Sequence, residues 1–273
     1  MVKRMKGIIG ILLFSISFCS IGGCAQKNEV IESPKEEIIS ESENEEIKET
    51  LESTEGETEE TQEDLQVGAT TLLYQGHASV RIVTVEGKVI YIDPFMGEGY
   101  DLPADLILET HNHYDHTKED MIKERNEDCT VIKWSDALTR DGYQTFDLGY
   151  VTVEGVEAGY NTNHSKSVCV GFILTFSDGT KVYFSGDTST TPSMAGFSER
   201  ELDYAFLCCD GVFNMNTEEA SECAKAINAK HSIPYHVETA KDDTGFDESV
   251  AETFDGPGRI IIKPGEKLEL KHE

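Results

Sequence analysis

The chain has 273 residues, with 52 Asp and Glu against 23 Lys and Arg and a formal net charge of −29. That length can bury a sizeable core, as one large domain or two small ones. The acidity excludes non-specific nucleic-acid binding, which needs basic residues to displace counterions. It leaves room for a small anionic substrate, because bound cations can dominate a local field.

Lys3, Arg4 and Lys6 form a positive leader, and an apolar run follows from Ile8 to Phe18. The run is too short for a comfortable membrane span and reads as a secretory signal. It ends in Ile21-Gly22-Gly23-Cys24, which resembles a bacterial lipobox whose Cys24 receives lipid. An ordinary signal cut nearby, or an uncleaved anchor, is the plainer alternative. Residues 25–66 carry sixteen Asp/Glu and three Lys, a net −13, with no aromatic and few large apolar side chains. Such a segment cannot offset its ordering entropy by burial and is expected to be a disordered, self-repelling tether. Residues 67–273 retain a net −19 and form the expected folded domain.

From Thr70 onward short β-type runs alternate with turns. Thr70–Tyr74, Ser79–Glu86 and Lys88–Ile92 predict a meander, and Leu106–Leu108 a buried strand. Lys118–Arg125 suggests a short helix. Strands are predicted at Thr130–Lys133, Val151–Ala158, Val168–Ser177, Lys181–Ser185 and Tyr204–Cys208, and a helix opened by a Thr cap at Thr217–Ala229. Ser232–Tyr235 and Ile260–Ile262 complete the apolar runs. The order suits an α+β domain of two packed sheets with helices outside. Apart from Cys19 and Cys24 five cysteines remain, an odd number with no CxxC spacing; Cys169, Cys208 and Cys209 read as buried thiols in strands.

The chemistry concentrates in Thr110-His111-Asn112-His113-Tyr114-Asp115-His116-Thr117, three imidazoles and a carboxylate within six positions. Imidazole nitrogen and carboxylate oxygen are good ligands for zinc and similar divalent ions. In extended chain His111 and His113 point to one side, and Asp115 and His116 can turn to a second ion. Taken alone, His164, Asp187 and His236 could each be an ordinary surface or turn residue.

HxHxDH after a buried strand resembles the signature of the metallo-β-lactamase superfamily. Tyr74-Gln75-Gly76-His77-Ala78-Ser79 and Ile92-Asp93-Pro94-Phe95 are similar to its L-ascorbate-6-phosphate lactonase-like branch and the "metal-dependent hydrolase" relatives of that branch. Glu157–Asn161 with His164, Ser185-Gly186-Asp187-Thr188 and Ile233-Pro234-Tyr235-His236 follow the same pattern in order. The resemblance spans residues 70–262 and implies a four-layer αββα sandwich. It also implies that His111, His113 and His164 hold one metal ion, that Asp115, His116 and His236 hold a second, and that Asp187 bridges them. A hydroxide shared by the ions would be the nucleophile, with Asp115 orienting it or accepting its proton. His77 is expected near the site, bonding a ligand or touching substrate, and His231 is expected to be structural.

The expectation is therefore a hydrolase with two divalent ions, zinc first and manganese or iron compatible, acting on a small-molecule ester, lactone or phosphodiester. Its only membrane attachment would be the lipid on Cys24, outside the cytoplasmic membrane. The competing reading is a tethered module that captures a ligand through the metal pocket without turnover. Resident metal, substrate and oligomeric state are not legible at this level.

Overall fold

The computed structural model describes residues 68–238 and 245–273. The signal, Cys24 and the acidic tether lie outside the described residues, so these expectations stand where the sequence left them.

Short, largely buried strands build the first sheet. Its strands are β1 (Thr70–Gly76), β2 (Ser79–Val83), β3 (Val89–Ile92), β4 (Ala104–Glu109) and β5 (Arg125–Lys133). A short helix α1 (Trp134–Ala137) follows, then the small hairpin β6 (Leu138–Thr139) and β7 (Gly142–Tyr143). The second sheet takes β8 (Thr145–Asp147), β9 (Val151–Glu157), β10 (Val170–Phe176), β11 (Lys181–Phe184) and β12 (Tyr204–Cys208). Helix α2 (Thr217–Ile227) leads into its last strand, β13 (His231–Tyr235). After α3 (Glu248–Ala251), β14 (Lys267–Leu270) returns to pair with β1 in the first sheet.

Each sheet has six strands, ordered β14-β1-β2-β3-β4-β5 and β13-β12-β11-β10-β9-β8. Both follow one plan. Antiparallel neighbours give way to a parallel trio, β3-β4-β5 in one sheet and β11-β12-β13 in the other. Parallel strands send their C-terminal ends to the same edge, which is where ligands gather in such sheets.

The main core contains Leu72, Tyr74, Ile82, Ile90, Ile92, Leu106 and Leu108 together with Val153, Phe172, Leu174, Phe184, Phe206 and Tyr235. The intervening residues Val89, Tyr91 and Ile107 point the other way and form a second cluster with Tyr100 and Ile122. β3 and β4 are therefore buried on both faces, which is why they read as continuous apolar runs.

The structure corrects three local expectations. Lys118–Arg125 is not a helix: a single turn at Glu119–Met121 leads directly into β5. Its only apolar residues, Met121 and Ile122, are adjacent, so the segment lacks the repeat a helix needs to bury one face. It runs instead as a strap, with Lys123 N donating to Tyr100 O and Ala104 N to Glu124 O, and Ile122 packed into the second cluster. Ile260–Ile262 forms no strand, and the last strand lies further on, at β14. Helix α2 is capped by Asn216, whose side chain accepts from Glu219 N, rather than by a threonine, and it ends at Ile227. The two-sheet sandwich stands as expected, with sparse helices: α2 is the one α-helix of more than four residues among the described residues. A 3-10 run at Pro192–Arg200 packs beside α2. Cys169, Cys208 and Cys209 are buried free thiols, as read from the sequence.

Candidate metal centre

The site stands at the C-terminal edge of both parallel trios. His111, His113, Asp115 and His116 leave β4, Asp187 leaves β11 and His236 leaves β13. His164 arrives from the β9–β10 connection and His77 from the β1–β2 turn. The backbone is bent to deliver them. His77, Asp93 and His236 all sit at positive φ, at 54°, 45° and 49°. Such left-handed residues cost energy and persist where surrounding structure enforces them. Gly186 is required for the same reason: at φ +58° a Cβ would lie 2.7 Å from Val170 O. Gly159, at φ +85°, lets the loop carrying His164 close, since a Cβ there would lie 2.9 Å from His164 O.

Asp187 is the organising residue. Its Oδ2 lies 3.2 Å from His164 Nε2 and 3.9 Å from His111 Nε2. Its Oδ1 lies 3.4 Å from His236 Nε2 and 3.5 Å from His116 Nε2. Three groups of side chains come close enough to hold a cation: His111, His113 and His164; His111, His116 and Asp187; and His77, His116 and His236. All six predicted histidine and aspartate positions of these groups are thus brought together. Asp115 takes a flanking place, with Oδ2 3.6 Å from His77 Nε2. His77 is drawn further in than the sequence placed it, its ring centroid 3.8 Å from that of His236. His231, at the far end of β13, bonds Gly258 O and Glu273 and takes no part, as expected.

Buried polar atoms test whether cations fit. His77 Nε2, His111 Nε2, His116 Nε2, His236 Nε2 and Asp187 Oδ1 are buried and have no hydrogen-bond partner. Unpaired buried polar atoms are costly, and converging on one small volume they match a divalent cation with N and O ligands. Charge tells the same story. Burial, followed by the charge of His116, presses the His111 imidazole down to about 2. Burial also opposes the ionised form of Asp187, but the imidazoles of His236 and His116 overcome it and hold the carboxyl well below the ordinary range. Burial lowers His236, and Asp187 and Glu238 more than reverse that. Protons on imidazoles balance the buried carboxylate, and a cation can take their place.

Three carboxylates that carry no assigned role in the sequence support the ligands. Asp93 Oδ2 lies 2.9 Å from His116 Nδ1, and its two oxygens also accept from Thr110 N and Oγ1. Glu238 Oε1 contacts His77 Nδ1 and lies 3.2 Å from His236 Nδ1. Asp210 Oδ2 is 3.7 Å from the same His236 nitrogen. A carboxylate on the outer nitrogen orients an imidazole and raises its basicity toward a metal. The only local signal was position, since Asp93 and Asp210 follow parallel strands and Glu238 stands two residues after His236.

The beta-lactamase superfamily domain matches residues 71–236 of the chain. The fold and the His/Asp centre together define a metal-dependent hydrolase of the metallo-β-lactamase superfamily. A UPF0173 metal-dependent hydrolase of Geobacillus sp. (strain WCH70) is 35% identical over 227 residues, covering 72% of this chain and 98% of the relative. The chain belongs to this UPF0173 family. Among solved structures, a putative metal-dependent hydrolase from Parabacteroides distasonis has 26% identity and a TM-score of 0.55, covering 70% of this chain and 92% of that one. A metallo hydrolase from Ignicoccus hospitalis shares the fold, with a TM-score of 0.56 and 23% identity over 75% of this chain and 100% of that one.

Proposed function

We propose that the centre holds two divalent ions and hydrolyses a small-molecule ester, lactone or phosphodiester. The carrying observation is the division of Asp187, with one oxygen facing His111 and His164 and the other facing His116 and His236. On this reading His111, His113 and His164 hold one ion. Asp115, His116 and His236 hold the other, and Asp187 lies between. Two such ions, zinc first and manganese or iron compatible with the same donors, supply an acidified water and a Lewis acid for the substrate oxygen.

The protein's own groups do the rest. Asp115 Oδ2 is placed to accept a proton from the attacking water, and His77 Nε2, 3.6 Å away, is placed to receive it next. Glu238, in contact with His77 Nδ1, keeps that ring aligned. His113 is exposed while His111, His116, His164 and His236 are buried, so substrate enters on the His113 side. The net −19 of residues 67–273 favours a small molecule over nucleic acid. The lipobox-like Cys24 and the acidic stretch favour attachment to the outer face of a bacterial membrane through lipid alone.

The test is the full chain loaded with zinc or manganese and assayed on a panel of esters, lactones and phosphodiesters, with metal counted by elemental analysis. Two ions per chain and turnover of at least one class are expected. One ion per chain, or no turnover across the panel, overturns the reading.

A further inference from the structure

Four large apolar side chains are exposed among the described residues: Tyr114 at 71%, Phe213 at 57%, Val212 at 54% and Tyr143 at 38%. Scattered single residues of this kind are ordinary on a protein surface. Three of these four are not scattered. Tyr114 stands between His113 and Asp115, and its ring meets Phe95 edge-on with centroids 5.7 Å apart. Phe95 in turn meets His77 at 5.1 Å, so this aromatic run continues into the centre.

Val212 and Phe213 belong to the loop after β12, and three hydrogen bonds tie that loop to residues of the centre. Asn163, the residue before His164, donates from Nδ2 to Phe213 O at 3.3 Å. Asp210 Oδ1 accepts from Val212 N and Phe213 N at 2.6 Å each, while its Oδ2 faces His236. The loop is therefore fixed in place by the residues that build the site, with two bulky apolar side chains left in water. A loop so anchored has no folding reason to expose them. Exposed apolar side chains carried next to the residues of a polar centre mark a binding site.

We propose that Tyr114, Val212 and Phe213, with Phe95 behind Tyr114, receive the apolar arm of an amphiphilic ester or lactone whose scissile bond lies at the metal centre. The inference rests on the hydrolase reading above and narrows it to substrates with an alkyl or aryl chain next to the reacting carbonyl. Water adds its oxygen to the acyl carbon, the acyl–oxygen bond breaks, and the alcohol leaves with a proton. The apolar arm stays on the rim while the polar carboxylate product faces the centre. The exposed His113 ring lies 4.9 Å from the His164 ring between centroids, and Tyr114 and Asn163 are the chain neighbours of these two residues, so the arm and the reacting group can be engaged together.

The experiment compares the zinc-loaded full chain with the Val212→Ser/Phe213→Ser double variant on p-nitrophenyl decanoate and p-nitrophenyl butyrate. Calorimetric binding of decanoate, a product-like carboxylate, is measured beside turnover. The wild-type chain should favour the decanoate ester in kcat/KM, and the double variant should lower the decanoate-to-butyrate ratio by about tenfold. Decanoate binding should weaken in parallel. Equal ratios in the two proteins, with turnover present, overturn the rim and leave the hydrolase reading standing. If neither ester is turned over, binding decides: decanoate affinity lost in the variant supports the rim, and decanoate binding absent from the wild type overturns it. A wild-type dimer in sedimentation that the double variant breaks shows the rim buried against a second copy, and this also overturns it.

Discussion

His116 Nδ1 lies 2.9 Å from Asp93 Oδ2, and that contact fixes which nitrogen of His116 can reach a cation. The carboxylate oxygen accepts from Nδ1, so Nε2, 3.5 Å from Asp187 Oδ1, is the nitrogen that would face a cation. Asp93→Asn keeps the shape but offers an amide where a carboxylate stood. Metal affinity in the variant should fall by roughly 10–100-fold, the usual cost of altering a residue that only supports a ligand. Chelator competition monitored by elemental analysis measures it, and unchanged retention would sink this role for Asp93.

Asp187→Asn removes the charge between the two histidine groups while leaving the strand end intact. Its activity should drop by more than the roughly 10–100-fold expected of a supporting residue. Metal content should decline in the same preparation, and circular dichroism should match the wild-type spectrum. Full metal content with full activity would remove Asp187 from the centre.

Gly186→Ala tests the backbone beneath Asp187. A Cβ would stand 2.7 Å from Val170 O at a φ of +58°, so the chain must shift or strain. Destabilisation of about 1–3 kcal/mol in urea unfolding is expected. Because the shift displaces Asp187, metal should be lost at lower chelator concentration than in the wild type.

Asp203 sets an acid limit on stability away from the site. Its buried carboxylate accepts from Lys181 N at 2.8 Å, Lys230 Nζ at 3.0 Å, His272 Nδ1 at 3.1 Å and Glu273 N at 3.1 Å. Burial favours the protonated form, but these donors outweigh it and the carboxyl is held below its ordinary value. The unfolded chain therefore takes up this proton first as pH falls. The stabilisation is complete above the unfolded carboxyl value of about 3.9 and is lost as pH drops through the lower folded value. Asp203→Asn should cost about 1–3 kcal/mol near neutrality, from donors left poorly paired. The gap between the two proteins should close below about pH 4. Urea titrations at stepped pH measure it, and a gap that widens toward acid would refute the account.

Most of the site was legible because its ligands announce themselves locally. His111, His113 and His116 share one loop, and Asp187 and His236 each terminate an apolar strand. Asp93, Asp210 and Glu238 were not legible, since a carboxylate after a strand is common and its partner nitrogen is set by folding across the two sheets. The strand meander was readable from short β-type apolar runs broken by turn residues. The strap at Lys118–Arg125 was not, because its charges are held by pairs outside helical spacing. Arg125 Nη2 reaches Glu119 Oε2 at 2.8 Å and Lys133 Nζ reaches Glu119 Oε1 at 2.7 Å. The apolar rim was invisible for the same reason: Val212 and Phe213 are brought to the centre by bonds to Asn163 and Asp210 that only the fold creates.

The centre takes His77, Asp93 and the His111–His116 loop from one sheet and His164, Asp187, Asp210 and His236 from the other. Neither sheet can complete it alone. Ion capture therefore records the docking of the halves rather than the formation of either one, and contacts so distant in sequence close late in folding. On gentle heating the ions should be released while the strands of each sheet remain hydrogen-bonded, so a metal-release curve serves as a gauge of how firmly the two sheets are joined.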